Sequence, residues 1–153
     1  ILYIKPFDEN AQTSLGNVNS IRVGVLESGE EIIIRCHPKG VNNGYFFAES
    51  LASNIALNEG IPAYKTYCIH ELEDDSDISY QVIEKLTGDT VQFCLKENPE
   101  KEEELVYEMG KTMARLHKIH VDGFGPFNNE EAKNGNLIGL HKTLNDSING
   151  VSL

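Results

Sequence analysis

The chain has 153 residues, of which 24 are acidic and 13 basic, and its formal net charge is −11 at pH 7. Nucleic-acid binding needs clustered Lys and Arg to neutralise phosphates, and no such cluster occurs, so we expect no nucleic-acid partner. An anionic membrane would repel the chain for the same reason, and no apolar run approaches the roughly 20 residues of a membrane span. Composition therefore favours an ordinary soluble domain.

The cysteines, Cys36, Cys68 and Cys94, are too far apart for a CxxC pair, and their odd number gives no disulfide framework. Reduced thiols are typical of the cytoplasm. We therefore expect a cytoplasmic protein.

Two strands are predicted near the start of the chain. Apolar residues alternate with other residues from 20 to 27, which is the period of a strand with one buried face. Ser28 and Gly29 then predict a two-residue hairpin turn, because Gly supplies the positive φ that such turns need. Residues 31–37 are apolar on both faces, so this second strand is predicted to be covered on both sides.

A helix is predicted over residues 45–59, closed by Gly60 and Pro62, and strands follow at 64–71 and 79–86. A second helix is predicted from 98 to 120, because apolar residues recur there at helical spacing after an acidic first turn.

Residues 122–139 are rich in Gly and Asn and are expected to form a loop, before a final short helix at 139–148. The resulting order predicts the α+β class: an antiparallel sheet with one helix against it, followed by further helices.

Glu49 is the one charged residue of the predicted helix between residues 45 and 58. On a helical wheel it lies away from the polar stripe, on a face of small residues, so it is predicted to point inward. A buried carboxylate needs a partner, and Arg35 near the end of the most apolar strand is the candidate. The alternative is an ion pair that is only structural and binds no ligand.

A strand ending in a basic residue, a helix with an inward Glu, two further strands and a short hinge resemble the N-lobe of protein kinases. In detail the chain resembles the aminoglycoside phosphotransferase family over about residues 14–127. The matching stretches are Ile32-Ile33-Ile34-Arg35, Phe47-Ala48-Glu49-Ser50, Glu59-Gly60-Ile61-Pro62-Ala63, Tyr80-Gln81-Val82-Ile83-Glu84-Lys85-Leu86-Thr87-Gly88, Met113-Ala114-Arg115-Leu116-His117 and Gly123-Phe124-Gly125. The resemblance implies a kinase-like, nucleotide-binding N-lobe in residues 1–86. It also implies a hinge and the first helices of a C-lobe in residues 87–153.

The resemblance also implies roles for particular residues. Arg35 would contact the phosphates of ATP and Glu49 would orient it, while the backbone around Glu84 and Leu86 would bind adenine as a hinge. The loop that contains Gly16 and Asn17 would cover the phosphates with its backbone N–H groups.

Two departures from the family pattern limit these roles. The family has Lys where this chain has Arg35, which holds phosphate by a planar fork rather than by a compact ammonium. None of the histidines (His37, His70, His117, His120 and His141) is followed by the Gly-Asp of the family's catalytic loop. Asp122-Gly123-Phe124-Gly125 resembles the kinase metal motif but has an intervening Gly, and in the family a structural turn stands there. We therefore expect no catalytic residue and no metal ligand in this chain, and expect the base and the Mg²⁺ ligands in a helical C-terminal lobe beyond it.

Three functions follow as hypotheses. The first is transfer of a phosphoryl group from ATP to a hydroxyl of a small molecule, such as an aminoglycoside or an amino-alcohol, whose cationic character suits an acidic protein. The second is a non-catalytic nucleotide-binding or interaction module of the same fold. The third is a structural α+β domain. Without a C-lobe, Met109, Met113 and Leu116 would be partly exposed, and the chain would tend to associate through them.

Two groups of residues could in principle bind a metal ion. The acidic residues of 71–77 lack the spacing and the Gly of a calcium loop, so a solvated turn is the first interpretation. His117 and His120 are three residues apart on a predicted helix, but no third ligand follows at a known spacing.

Overall fold

The computed structural model describes residues 1–6, 20–41, 45–74 and 77–149. The strands are β1 (Tyr3–Pro6), β2 (Ser20–Val25), β3 (Glu31–Cys36), β4 (Thr66–His70), β5 (Tyr80–Glu84), β6 (Phe124–Phe127) and β7 (Gly139–His141). The helices are α1 (Phe46–Asn58), α2 (Val91–Glu97), α3 (Glu102–Leu116), α4 (Asn129–Lys133) and α5 (Leu144–Asn149), with a 3₁₀ turn at Pro99–Lys101.

The larger sheet has the strand order β1-β2-β3-β5-β4, and every neighbouring pair is antiparallel. Helix α1 follows β3 along the chain and contacts β4. The predicted α+β class is therefore confirmed. Within the described residues, no helix is both long enough and apolar enough to span a membrane.

Strand β3 is buried on both faces, as its unbroken apolar run predicts. Ile33 packs with Val23 and Ile83 on one face of the sheet. Ile32 and Ile34 pack with Val82 on the other face. Burial of each such side chain stabilises the fold by about 1.5–3 kcal/mol, so β3 is the centre of the core.

The loop between β2 and β3 is one residue longer than predicted. The N–H of Leu26 donates to the carbonyl of Glu30 at 2.8 Å, so Glu27, Ser28 and Gly29 form a three-residue loop. Gly29 has φ +87°. A left-handed residue at the end of a three-residue hairpin loop is a common solution, because it matches the twist of the flanking strands.

Helix α1 ends where Gly60 was predicted to end it. Gly60 has φ +66°, and its N–H donates to the carbonyl of Leu57. The N–H of Ile61 donates to the carbonyl of Ala56, which completes a Schellman cap. The last carbonyls of the helix are thereby satisfied before the chain turns towards β4.

The second half of the chain differs from the prediction. A separate helix, α2, precedes the predicted second helix, because the side chain of Thr90 accepts a hydrogen bond from the N–H of Phe93 and starts it. Helix α3 then ends at Leu116 rather than at residue 120. The region 122–139, predicted as a loop, holds β6 and α4, and β6 pairs with β7 where a helix was expected to begin.

Candidate functional site

The predicted ion pair between Arg35 and Glu49 is present. Nη1 of Arg35 lies 2.6 Å from Oε2 of Glu49, and Nη2 lies 3.5 Å from Oε1. Both ends of the guanidinium fork therefore face one carboxylate, which favours a fixed orientation. The two side chains are 20% and 38% exposed, so the pair is partly desolvated and still open to a ligand.

A buried amide, which the sequence analysis did not single out, also holds Arg35. Gln81 is fully buried, and its Oε1 accepts a hydrogen bond from Nη1 of Arg35 at 3.1 Å. Its Nε2 donates to the hydroxyl of Thr66 at 3.3 Å and to the carbonyl of Phe46 at 3.5 Å. The guanidinium is thus held from the sheet as well as from α1. A polar residue beside the apolar Val82 and Ile83 in β5 is the sequence signal for such a role.

Rings surround the pair on the side of α1. Cζ of Arg35 lies 5.6 Å from the centre of the Phe46 ring, and the His37 ring stacks on Phe46 with the ring centres 4.2 Å apart. Burial lowers the pKa of His37, which is therefore neutral at neutral pH. Burial and the nearby Glu49 carboxylate raise the pKa of Tyr64, so its hydroxyl also stays neutral. The charge of the site therefore comes from Arg35 and Glu49.

The predicted hinge residues lie at the end of β5. The N–H of Glu84 donates to the carbonyl of Lys65 at 2.8 Å, and the Glu84 carboxylate accepts from the N–H of Lys65 at 3.1 Å. Leu86, two residues later, is 61% exposed. Because Gln81 faces Arg35 across the strands, Glu84 lies about 10 Å further along β5 at the usual rise per residue.

A second charged cluster lies close to the predicted hinge. Glu31 accepts from Nζ of Lys5 at 2.6 Å and forms a short ion pair with Lys85, the residue after Glu84. The two ammonium groups lower the pKa of Glu31 to about 2. This cluster joins β1, β3 and the end of β5, and it was not predicted from the sequence.

Two cavities of the described residues lie away from the ion pair, and the larger one is also lined by Glu84 and Lys85 of the predicted hinge. One is a groove of about 620 Å³ that includes Leu26, Ile32 and Val82, on the face of the sheet opposite Arg35. The other, of about 450 Å³, lies between the C-terminal ends of α1 and α3. Neither is lined by Arg35 or Glu49. Gly16 and Asn17, the predicted phosphate-covering residues, lie outside the described residues.

A metal site is not formed by the described residues, since no three His, Cys, Asp or Glu side chains among them converge on one point. Asp122, in the segment that resembles a kinase metal motif, bridges Ile138 and accepts from the N–H of Gly139 through its carbonyl. Its role here is to start the β6–β7 pair. His117 and His120 are both exposed.

No protein-family model, curated protein or solved structure matches the chain.

Proposed function

We propose that this chain is the nucleotide-binding part of a small-molecule phosphotransferase of the kinase fold, in which Arg35 contacts the phosphates of ATP. One observation carries the proposal: the Arg35–Glu49 pair joins β3 to the helix that follows it. In protein kinases a basic residue of the third strand contacts the phosphates and pairs with a Glu of the next helix. The two further strands and the hinge that follow α1 support the same assignment.

Arg35 suits an anionic ligand in its chemistry and in its exposure. A guanidinium stays charged at any physiological pH and presents several N–H groups in one plane, which matches two phosphate oxygens. Glu49 and Gln81 hold that plane in place before a ligand arrives, so less side-chain entropy is lost on binding. Adenine would lie beside Glu84 and Leu86 at the end of β5. The N–H of Glu84 already donates to the carbonyl of Lys65, so the backbone of the exposed Leu86 would supply the donor.

The Mg²⁺ that accompanies ATP would supply charge neutralisation between the phosphates. The described residues do not form a set of ligands that fits this ion. We therefore place neither the metal ligands nor the base that accepts the hydroxyl proton on described residues. An aminoglycoside or amino-alcohol acceptor remains part of the proposal, because a net charge of −11 favours a cationic partner.

A second candidate is a module that binds nucleotide without transferring a phosphoryl group. Two sequence observations favour it: Arg35 stands where the family has Lys, and no His is followed by Gly-Asp. Both candidates require nucleotide binding, and they differ in whether the protein phosphorylates an acceptor.

The test is a titration of the purified chain with Mg-ATP by calorimetry, in the unmodified chain and in Arg35→Ala. Arg22→Ala is the matched control, since Arg22 lies on the neighbouring strand opposite Ile34 and so faces the other side of the sheet. We expect binding that Arg35→Ala weakens by at least about tenfold, as loss of a charge-assisted phosphate contact requires. We expect Arg22→Ala to leave it unchanged.

Failure to bind ATP in the unmodified chain would refute both candidates and leave a structural ion pair. Equal weakening by the two substitutions would show a general charge effect and would remove Arg35 from the site. If ATP binds as expected, phosphorylation of an aminoglycoside or amino-alcohol by the protein separates the first candidate from the second.

A further inference from the structure

Among the described residues, none next to the start of helix α1 caps it with its side chain. The residue at its N-cap position is Tyr45, whose side chain makes no capping hydrogen bond. The first amides of a helix have no partner within the helix, and an uncapped end is less stable by about 0.5–2 kcal/mol than a capped one. Glu49, the partner of Arg35, lies in this first turn. The position of Glu49 therefore depends on a turn that the side chain of Tyr45 does not stabilise.

A distant residue supplies the missing cap. Oδ1 of Asn129 accepts hydrogen bonds from the N–H groups of Phe47 and Ala48, both at 3.1 Å. These are the second and third residues of α1, which are the amides that a local N-cap side chain would satisfy. Asn129 is itself the first residue of α4, far along the chain.

The amide of Asn129 is held in this orientation. Its Nδ2 donates to Oε1 of Glu71 at 3.3 Å, which leaves Oδ1 directed at α1. Lys133 of α4 forms an ion pair with the same carboxylate and lies 5.4 Å from the centre of the Phe47 ring. Hydrogen bonds to Glu130 and then to Glu71 raise the pKa of Lys133. Asn128 caps α4 in turn, accepting from the N–H groups of the two residues after Asn129.

We propose that Asn129 is a positioning residue for the nucleotide site, holding the first turn of α1 so that Glu49 reaches Arg35. The proposal rests on the function proposed above as far as nucleotide affinity is concerned. Glu49 directly follows Ala48, whose N–H Asn129 binds, so fraying of this turn would carry the carboxylate away from the guanidinium. Only the fraction of molecules with an ordered first turn would then present Arg35 in its binding orientation, and apparent affinity would fall with that fraction.

The experiment uses two readouts on the full chain. The first is the NMR signal of the Arg35 side-chain N–H groups, which reports the ion pair without any ligand. The second is the affinity for Mg-ATP. The variants are Asn129→Ala, Glu49→Gln and the two combined. Thr90→Ala is the matched control, because it removes the cap of α2, whose described contacts do not include the site.

We expect Asn129→Ala to broaden or shift the Arg35 signal and to weaken Mg-ATP binding by about two- to thirtyfold, the range of a lost helix cap. We expect no further weakening when Glu49→Gln is already present, because the cap acts through that carboxylate. Thr90→Ala should lower stability and leave both readouts unchanged. Asn129→Asp with Glu71→Gln should restore both, since the new carboxylate accepts from α1 and from the new amide.

The outcomes separate the two proposals. An unchanged Arg35 signal in Asn129→Ala would overturn the positioning role, whatever the affinity. Equal weakening by Asn129→Ala with and without Glu49→Gln would overturn it as well, since the effect would then not pass through Glu49. A chain that binds no ATP, but whose Arg35 signal depends on Asn129, would refute the proposed function and leave the coupling between α4 and the ion pair standing.

Discussion

Gln81 lies directly opposite Arg35 across β3 and β5, and its side-chain oxygen accepts a hydrogen bond from the guanidinium at 3.1 Å. The amide has no exposed surface, and its nitrogen donates to Thr66 and to the backbone of Phe46. A buried polar group with all its partners fixes one arrangement, because any other would leave it unsatisfied. Gln81 therefore holds the Arg35 guanidinium from the sheet, as Glu49 holds it from helix α1.

We predict that Gln81→Leu lowers the free energy of unfolding by about 1–3 kcal/mol. The reason is that the part-buried Arg35 and Thr66 side chains and the buried Phe46 carbonyl would each lose a hydrogen bond to the amide. Urea denaturation measures the change. Gln92→Leu is the matched control, the same replacement on the exposed surface of α2, where we expect a change within about 0.5 kcal/mol. Equal losses in both variants would mean that the buried amide contributes no more than a surface one.

The Arg35–Glu49 pair is predicted to have a coupling energy of about 1–2 kcal/mol in a double-mutant cycle with Arg35→Met and Glu49→Gln. The reason is its partial burial, at 20% and 38% exposure, which reduces screening by solvent. The exposed pair of Lys111 with Glu108, at 53% and 57%, is the comparison and should give about 0–0.5 kcal/mol. A coupling of the first pair no larger than that of the second would contradict the argument from burial.

The ion pair could be predicted from sequence because both halves leave a local signal. Glu49 departs from the polar stripe of its helix, and Arg35 lies near the end of an apolar strand. The local signal of Gln81 is only a polar residue beside the apolar Val82 and Ile83, and it does not name a partner. Asn129 leaves no local signal, since its partners lie far away in sequence and periodicity carries no information about those contacts.

The pairing of β6 with β7 was not predicted, because the glycines of this region were interpreted as loop residues. A Cβ at Gly139 would lie 2.3 Å from the backbone nitrogen of Phe124, so the glycines that indicated a loop in fact allow two backbones to approach.

The pH dependence of stability is predicted to include a contribution from Glu31, whose pKa falls from an ordinary value of 4.5 to about 2 beside Lys5 and Lys85. A folded-state pKa below the unfolded one stabilises the fold fully above pH 4.5, and this stabilisation is lost as pH falls towards 2. The free energies of unfolding of the unmodified chain and of Glu31→Gln, measured by urea denaturation, should therefore differ at pH 6 and become equal as pH approaches 2. Lys85→Met should raise the Glu31 pKa, as followed by carboxyl NMR. If the unmodified chain and Glu31→Gln differ in free energy of unfolding by the same amount at every pH, Glu31 is not the source of the pH dependence.

Replacement by Ala is predicted to lower the stability of the fold at Gly60 and to raise it at Gly110. Gly60 has φ +66°, and a Cβ there would lie 3.1 Å from Nη2 of Arg115, which donates to the carbonyls of Glu59 and Gly60. Gly60→Ala should therefore destabilise the fold by about 1–2 kcal/mol, the usual penalty for a left-handed residue with a side chain.

Gly110 lies within α3, and a Cβ there would meet nothing within 4 Å. Gly110→Ala should stabilise the helix by up to about 1 kcal/mol. Thermal unfolding measures both, and a loss in Gly110→Ala would show that α3 has a packing partner at that position.

The exposed apolar stripe of α3 is predicted to cause self-association. Val106, Met109 and Met113 are 60%, 51% and 51% exposed and recur at helical spacing, so they form one continuous surface. Contiguous exposed apolar surface of this kind is typical of contact sites, because its burial removes ordered water. Sedimentation velocity at increasing concentration should show oligomers, and Met109→Lys with Met113→Lys should abolish them. Leu140→Lys is the control, at 56% exposure on β7 and away from the stripe. A chain that stays monomeric at every concentration, or one that Leu140→Lys dissociates equally well, would mean that α3 is not the contact surface.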